Sequence, residues 1–475
     1  MRKAVTAIAA AAMLVAPAAA LAGFTPNDPL ASRQWYLAQD KVFNAFDVLP
    51  LLRPVRVAVI DSGADAGHPE LKGRVADAKS FVGGTTADTQ GHGTFVAGEI
   101  AAWTDNGRGI AGLAPPARLL VARVVRDDGS IPPSAEARAI RWAVHQGARV
   151  INLSLGSLRS PVGSEDGFSY AEQRAVEYAV RNDVLVVASV GNGDGAPTTP
   201  WPYANYPAAL PHVLGVAAYA RSGDVPKFSN RDDVYVDIAA PGQDMFSLLP
   251  RPLTARYSSC AEQGYSSCGP KDYRHADGTS FSSPQVAAAA ALVLGRTPWL
   301  QADQVSNLLE RAASDASPAN GCDACSVGRD SLTGFGRLDV AAAIRALAKP
   351  PPAPDQFEPN DDVGFRAATH YPRRFHATLD SWDDPNDVYR IHLRRGQRVS
   401  VRARSTDADI SLVLWKPALY ALAEVRDRLR ARRSIHPFGT PERLAYRARR
   451  GGWFSLQVKL AQPGFGEYSI RIARS

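Results

Sequence analysis

Five apolar runs, at 55–62, 119–125, 150–155, 184–190 and 213–218, constrain the fold of this 475-residue chain more than any other feature. The first reads Val55-Arg56-Val57-Ala58-Val59-Ile60-Asp61-Ser62 and is apolar almost throughout. Strands buried on both faces have this pattern, because a parallel sheet is covered on each side. Helix-like stretches at 94–103, 134–146 and 170–181 fall between the runs. Strands alternating with helices imply an α/β fold: a parallel sheet with helices on both faces. The Ala-rich stretch 284–294 is apolar all round and is expected to be a buried helix.

The pattern changes at Lys349-Pro350-Pro351-Pro352-Ala353-Pro354, a semi-rigid extended linker. Beyond it, 388–393, 398–403, 410–414, 453–458 and 468–472 are short, mostly alternating runs separated by turn residues. That is the pattern of a small all-β sandwich. The expected units are a leader over 1–22, an α/β domain over 23–346, a linker over 347–356 and a β domain over 357–475.

Arg2 and Lys3 precede an uncharged stretch from Ala4 to Ala20, and Ala20-Leu21-Ala22 fits a small-x-small cleavage site. The expected mature start is Gly23 and the expected location extracytoplasmic. The alternative is an uncleaved membrane anchor. No other run approaches the ~20 apolar residues that span a bilayer. Export permits disulfides. Cys260 and Cys268 share one polar loop; Cys322 and Cys325 form a CxxC pair. That pair lacks the βαβ setting of a redox motif, so a structural bridge is expected, with redox chemistry as the alternative. The net charge of +7 is too mild to mark a nucleic-acid binder.

Three segments carry chemistry: Val57-Ala58-Val59-Ile60-Asp61-Ser62-Gly63, Asp88-Thr89-Gln90-Gly91-His92-Gly93-Thr94 and Asp277-Gly278-Thr279-Ser280-Phe281-Ser282-Ser283-Pro284. Asp61 follows a buried strand, where a carboxylate is fixed and shielded. His92 and Ser280 each precede a helix-like pattern, whose first turn offers free N–H groups and a positive dipole end. Nucleophilic catalysis assigns the roles: Ser280 attacks a carbonyl, His92 moves its proton, and Asp61 holds the imidazole tautomer. Asn192 closes a strand within Val190-Gly191-Asn192-Gly193 and, with the Ser280 N–H, is the candidate oxyanion hole. Other readings fail on motif grounds. An aspartic protease needs two such carboxylates, and only one Asp-Ser-Gly occurs. The glycines at 191, 193 and 195 lack Gly-Lys-Ser/Thr after them, and no His-Glu-x-x-His occurs.

With these residues in place, the chain resembles the secreted subtilisin-like serine proteases, the subtilases. The order Asp…His…Ser is theirs, and Asp61, His92, Ser280 and Asn192 fall on the family's catalytic and oxyanion positions. Ser154-Leu155-Gly156 resembles the strand that pairs with the substrate backbone, and Gly334-Phe335-Gly336-Arg337-Leu338-Asp339 the block that closes the catalytic domain. The resemblance spans about 24–346. It implies a three-layer subtilisin-like α/β fold and a secreted serine endopeptidase acting on proteins or peptides, without nucleic acid and as a monomer. A narrow processing protease is the alternative, and an inert scaffold serving a binding β domain a further one. No cofactor is implied for the chemistry. Structural calcium is, through Glu70 and Asn106 in and beside a loop, Thr104-Asp105-Asn106-Gly107-Arg108-Gly109-Ile110, that resembles the family's calcium loop. The chain departs from the family in three ways: Phe281-Ser282 replaces Met-Ala, a pro-region of usual size is missing before Asp61, and about 35 residues separate Pro241-Gly242 from Gly278. Trp201 and Tyr203 are expected near the first specificity pocket.

The C-terminal region resembles the bacterial pre-peptidase C-terminal domain at Glu358-Pro359-Asn360-Asp361, Asp384-Pro385-Asn386-Asp387-Val388-Tyr389 and Gly464-Phe465-Gly466-Glu467-Tyr468. This implies a non-catalytic accessory module. Its Arg-rich stretch, with Arg426, Arg428, Arg430, Arg432 and Arg433, suggests weak association with an anionic envelope or polysaccharide; a solvated helix face or loop is the alternative.

Overall fold

The computed structural model describes residues 23–475 apart from 47, 49, 163, 257–266, 269–270, 364–366, 383, 418, 420–421, 423–428 and 463. The leader, Cys260, Arg426 and Arg428 lie outside the described residues.

Seven parallel strands form the central sheet in the order β2-β3-β1-β4-β5-β6-β7. They are β1 (Val55–Asp61), β2 (Val75–Ser80), β3 (Ala117–Arg123), β4 (Val150–Leu153), β5 (Leu185–Ser189), β6 (Val213–Tyr219) and β7 (Ile238–Pro241). All residues of β4, β5, β6 and β7 are buried. That explains the apolar runs, since each buried Val, Ile or Leu contributes roughly 1.5–3 kcal/mol. The five expected strands are present. The two edge strands, β2 and β7, went unread. Val75–Ser80 carries Asp77 and Lys79 and is largely exposed, as charged edge strands are.

Helices α1 (His92–Ala101) and α4 (Ser283–Arg296) pack against each other, and α2 (Pro133–His145) against α3 (Tyr170–Arg181). The expectation of an Ala-rich buried helix holds: every residue of α4 except Arg296 is buried, and it packs on β4, β1 and β5. Two further helices follow, α5 (Ala302–Ala312) and α6 (Val340–Ala346). The long segment between Pro241 and Gly278 holds a small antiparallel sheet, β8 (Met245–Leu248), β9 (Ser267–Cys268) and β10 (Tyr273–Ala276), ordered β8-β10-β9.

The chain leaves β1 towards β2 and β3, then returns to place β4 on the other side of β1. Connections diverge at this pair, and such a divergence opens a crevice at the carboxyl ends of the strands. Asp61 ends β1, Ser154 follows β4 and Asn192 follows β5, so all three belong to this edge.

Beyond the linker, two four-stranded antiparallel sheets, β11-β18-β13-β16 and β12-β17-β14-β15, share one core. Their strands are β11 (Arg374–Asp380), β12 (Asn386–Leu393), β13 (Arg398–Ser405), β14 (Ile410–Trp415), β15 (Arg430–Ser434), β16 (Glu442–Arg447), β17 (Gly452–Leu460) and β18 (Phe465–Arg474). The sandwich packs on α5. Asn307 donates to Asp380 Oδ2 at 2.7 Å, Gln304 donates to the Pro351 carbonyl at 2.7 Å, and the Arg311 guanidinium lies 4.6 Å from the Trp382 ring centre. His212, just before β6, pairs with Asp361. This contact is at the amino end of β6, opposite the edge that carries Asp61.

Cys322 and Cys325 are disulfide-bonded and buried with Ala316 and Leu332. The expected bridge between this pair is present, within a small apolar cluster. Arg430, Arg432 and Arg433 lie on the edge strand β15, not on a helix.

Candidate active site

The site is built around two carboxylates, Asp61 at the end of β1 and Asp88 just before α1. Asp61 is 1% exposed. Its two oxygens lie 2.9 and 3.0 Å from His92 Nδ1, and Oδ1 also accepts the Ser62 N–H at 2.6 Å. With both carboxylate oxygens facing Nδ1, the proton belongs on Nδ1, and Nε2 is left as a lone-pair base. The imidazole side chain keeps about a third of its surface, 33%, open to solvent.

Asp88 holds the start of α1. Its Oδ1 accepts the N–H groups of Gln90 and Gly91 and the Ser62 hydroxyl; its Oδ2 accepts the Thr94 N–H at 2.8 Å and the Thr94 hydroxyl at 2.7 Å. One buried carboxylate thus ties the two residues before the helix to the Thr94 donor of its first turn. Ser62 Oγ completes the tie by accepting the Gly93 N–H at 2.9 Å. Close packing here requires glycine. A Cβ on Gly93 would stand 2.2 Å from the Gly63 carbonyl oxygen and 3.1 Å from Asp61 Cβ.

These contacts set the basicity of His92. Burial alone would pull the imidazolium pKa down. The charge of Asp61, its hydrogen bond and the charge of Asp88 outweigh that, and the pKa lies above the ordinary imidazole value.

Ser280 sits in a 3₁₀ turn, Thr279–Phe281, that leads into α4. Its carbonyl accepts the Ser154 hydroxyl at 2.7 Å, and Ser154 Oγ also meets Ser283 Oγ at 2.9 Å and the Asn152 amide at 2.8 Å. The neighbouring Phe281 ring lies 5.4 Å from the His92 ring and 4.4 Å from Phe95, centre to centre. The turn bearing Ser280 is thus packed against the imidazole that Asp61 holds. The departure at 281–282 has a local reason: the buried Ser282 hydroxyl donates to the Pro241 carbonyl at 3.0 Å, and Phe281 fills the space between two rings.

Asn192 is oriented by Thr279. Its Oδ1 accepts the Thr279 N–H at 2.9 Å and the Thr279 hydroxyl at 2.8 Å. A backbone N–H can only donate, so these bonds fix the amide and turn Nδ2 towards Gly278, whose missing Cβ would lie 3.4 Å from it. The β4–β5 ladder stops at Leu153, and bridging resumes at Ser157 with Tyr206. Ser154, Leu155 and Gly156 lie between, with no ladder partner among the described residues. A Cβ on Gly156 would stand 2.4 Å from the Tyr206 carbonyl oxygen. Trp201 is buried and donates to the Arg159 carbonyl at 3.0 Å, with Tyr203 at its edge.

Glu70 and Asn106 also come together. Asn106 Oδ1 accepts the Arg108 N–H at 2.8 Å, which turns its amide N–H groups towards Glu70. A calcium ion needs oxygens directed at it, six to eight in all. Here Asn106 offers Glu70 a donor, while Asn27 and Asp28 spend oxygens on the N–H groups of Gly107, Asp105 and Asn106. As placed, Asn106 spends its Oδ1 on the Arg108 N–H, while Glu70 Oε2 is buried without a hydrogen-bond partner. Elsewhere, two groups hold ligand atoms within 4.8 Å of one another: His212, Glu358 and Asp361, and Asp355, Glu358 and Asp387.

Burial raises the Glu70 pKa to about 7, with bonds from Asn106 and Tyr273 opposing and the charge of Asp28 reinforcing the rise. The native state therefore keeps a proton that the unfolded chain loses from about pH 4.5, and stability falls as pH rises towards 7. Glu70→Gln is expected to remove this slope, gaining about 2 kcal/mol over wild type at pH 8 after allowance for partial solvation. Melting curves at pH 5 and 8, with and without a chelator, check it. Loss of stability on chelation would instead show that an ion occupies this place.

The sequence reading did not find Asp88, Thr279 or Ser62 as the groups that orient the site. Asp88 had a signal: an acid three residues before Gly91, at the start of a helical pattern.

Fold and site together define a serine hydrolase on an α/β scaffold, with acid, base and nucleophile in that order along the chain. The chain belongs to the subtilase family, whose family model matches residues 53–336, and is a serine endopeptidase. It is 36% identical over 274 residues to thermitase of Thermoactinomyces vulgaris, covering 57% of this chain and 85% of thermitase. It is also 36% identical over 295 residues to subtilisin DY of Bacillus licheniformis, covering 61% of this chain and 91% of that one. Among solved structures it is similar to a lanthipeptide protease, with a TM-score of 0.54, 26% identity and coverage of 68% of this chain and 99% of that one.

Proposed function

We propose that this chain is an exported endopeptidase that cleaves proteins through an acyl-enzyme on Ser280, with Asp61, His92 and Asn192 as its partners. The observation that carries the reading is His92 Nδ1 held between both oxygens of Asp61, with the Ser280 turn packed on the same ring. His92 Nε2 takes the Ser280 proton as Oγ bonds to the scissile carbonyl carbon. The carbonyl oxygen becomes an oxyanion, met by Asn192 Nδ2 and the Ser280 N–H. Its collapse breaks the C–N bond, and His92 gives the proton to the departing amine. Water repeats the cycle on the ester and frees Ser280. Ser154, Leu155 and Gly156 hold the substrate backbone as an added strand, since their own ladder is open there.

Cleavage of the leader near Ala22 places the enzyme outside the cytoplasm, and the β domain is an accessory module without catalytic groups. The test is covalent labelling by a fluorophosphonate, read beside casein hydrolysis. Folded wild-type protein is expected to do both. Labelling with casein left intact favours a narrow processing protease. Neither labelling nor cleavage sinks the catalytic reading in favour of an inert scaffold.

A further inference from the structure

We propose that the outer face of the sheet β11-β18-β13-β16 binds a linear anionic polysaccharide. The register places Arg374 opposite Arg471, Arg471 opposite Arg402 and Arg402 opposite Arg443. All four are exposed. One arginine per strand thus stands in a straight row across the whole sheet, about 14 Å long at the usual spacing of neighbouring strands. Arg398 faces Arg447 further along β13 and β16, and Arg404 follows Arg402 on the same face.

Like charges directly opposite one another destabilise a sheet, so this row gives the fold nothing by itself. Nor is it neutralised internally. Glu467 is the only acid among the exposed side chains of the four strands, and it pairs with His376 at 2.8 Å. None of the four row arginines has a carboxylate partner among the described residues. The charge is concentrated in this part of the chain: residues 357–475 hold 22 Lys and Arg against 13 Asp and Glu, a net +9, while the whole chain carries only +7.

The neighbours of the row narrow the partner. Ser400 and Ala445 are the exposed residues between arginines along β13 and β16, and Ser469 stands between Glu467 and Arg471 on β18, so only small side chains separate the forks. No Phe, Tyr or Trp stands exposed beside the row to stack bases, the main sequence-tolerant contribution to single-strand nucleic-acid binding. Phe465, six residues from Arg471 at the far end of β18, is the only exposed large apolar side chain of the four strands, so none stands beside the row to enter a lipid layer. What remains is a set of planar forks, each shaped for a carboxylate or sulfate, at even intervals on a line. A polymer with an acid group on each sugar, lying across the strands, satisfies them in turn. Among the described residues, the α5 contact reaches this sheet only at Asp380, the far end of β11 from Arg374, and the site edge belongs to the other domain, so the bound polymer leaves the crevice free.

The experiment uses full-length protein in a Ser280→Ala background, with polygalacturonate as probe, neutral dextran as control and phosphatidylglycerol vesicles as a second probe. Binding to polygalacturonate and not to dextran is expected, weakening as salt rises. Arg402→Ser with Arg471→Ser is expected to lower affinity about thirtyfold, the order of two charges at an anionic surface, and to reduce the salt slope by about two ions. Arg402→Lys with Arg471→Lys keeps the salt slope but binds more weakly than the parent and more tightly than the double Ser variant, because an ammonium keeps the charge and loses the planar fork. Arg221→Ser with Lys227→Ser removes the same charge from the α/β domain and leaves binding unchanged. Melting curves guard against misfolding: the double Ser variant, freed of cross-strand repulsion, melts no lower than its parent. Equal losses from the two Ser pairs, no retention on polygalacturonate, or binding to vesicles alone would overturn the proposal.

Discussion

Ser280→Ala is expected to lower kcat by about 10⁶ while leaving KM for a peptide substrate nearly unchanged. The scale is that of nucleophile removal in subtilisin. The selectivity follows from the way Ser280 is held. Its carbonyl is bonded to Ser154, and the preceding Thr279 is bonded to Asn192. Neither tie uses the Ser280 hydroxyl. Removing one oxygen atom therefore leaves the turn, the Asn192 amide and the open strand at 154–156 in place. Binding persists, and the oxyanion donors sustain a residual rate of about 10³–10⁴ over water. Steady-state kinetics on a peptide amide, with fluorophosphonate titration of the same sample, checks it. A variant that still labels stoichiometrically, or keeps more than about a hundredth of the wild-type rate, places the nucleophile elsewhere and removes the mechanism.

The central strands were legible because burial on both faces leaves a chemical trace. Val55–Asp61 and Val213–Tyr219 contain almost nothing polar, and the sheet places them inside. The exceptions follow the same logic in reverse. Val75–Ser80, Arg430–Ser434 and Glu442–Arg447 are edge strands rich in charge, and their pairing is stated by neighbours rather than by their own side chains. Ser154 and Leu155 look strand-like, but the paired ladder ends at Leu153, where the open edge begins. In the site, Asp61, His92 and Ser280 were readable because each stands in a short Gly-bearing segment at the end of a strand or the start of a helix. The contacts that aim them were not. Thr279 and Asn192 are 87 positions apart, and Ser154 and Ser280 are 126 apart. Such pairs become neighbours only once the crossover from β3 to β4 is made, which no local pattern announces. The calcium expectation shows the complementary limit. Glu70 and Asn106 do meet, yet the direction of one amide decides whether they present an ion with a ligand or each other with a hydrogen bond.

Asp61→Asn is expected to lower kcat by about 10⁴ without unfolding the site. The shape of the side chain is kept, so the Ser62 N–H can still find an oxygen. What changes is the proton on His92. An Asn amide facing Nδ1 donates to it, and the imidazole proton moves to Nε2. That nitrogen then points a hydrogen at Ser280 and has no lone pair with which to take one. The pH profile separates this account from a loss of packing. In the wild type, Asp61 and Asp88 together raise the His92 pKa against the effect of burial. Activity is then lost as pH falls through a value above the ordinary imidazole range, because the protonated ring is no base. Without the Asp61 charge, burial is opposed by Asp88 alone, and the acid limb of kcat/KM moves to lower pH. A lower plateau with the limb shifted down is the expected result of rate measurements across pH 5–9. An unshifted limb, or a variant that keeps the wild-type rate, would mean that the carboxylate at the end of β1 neither sets the tautomer nor stabilises the imidazolium, and the hydroxyl of Ser280 would need another base.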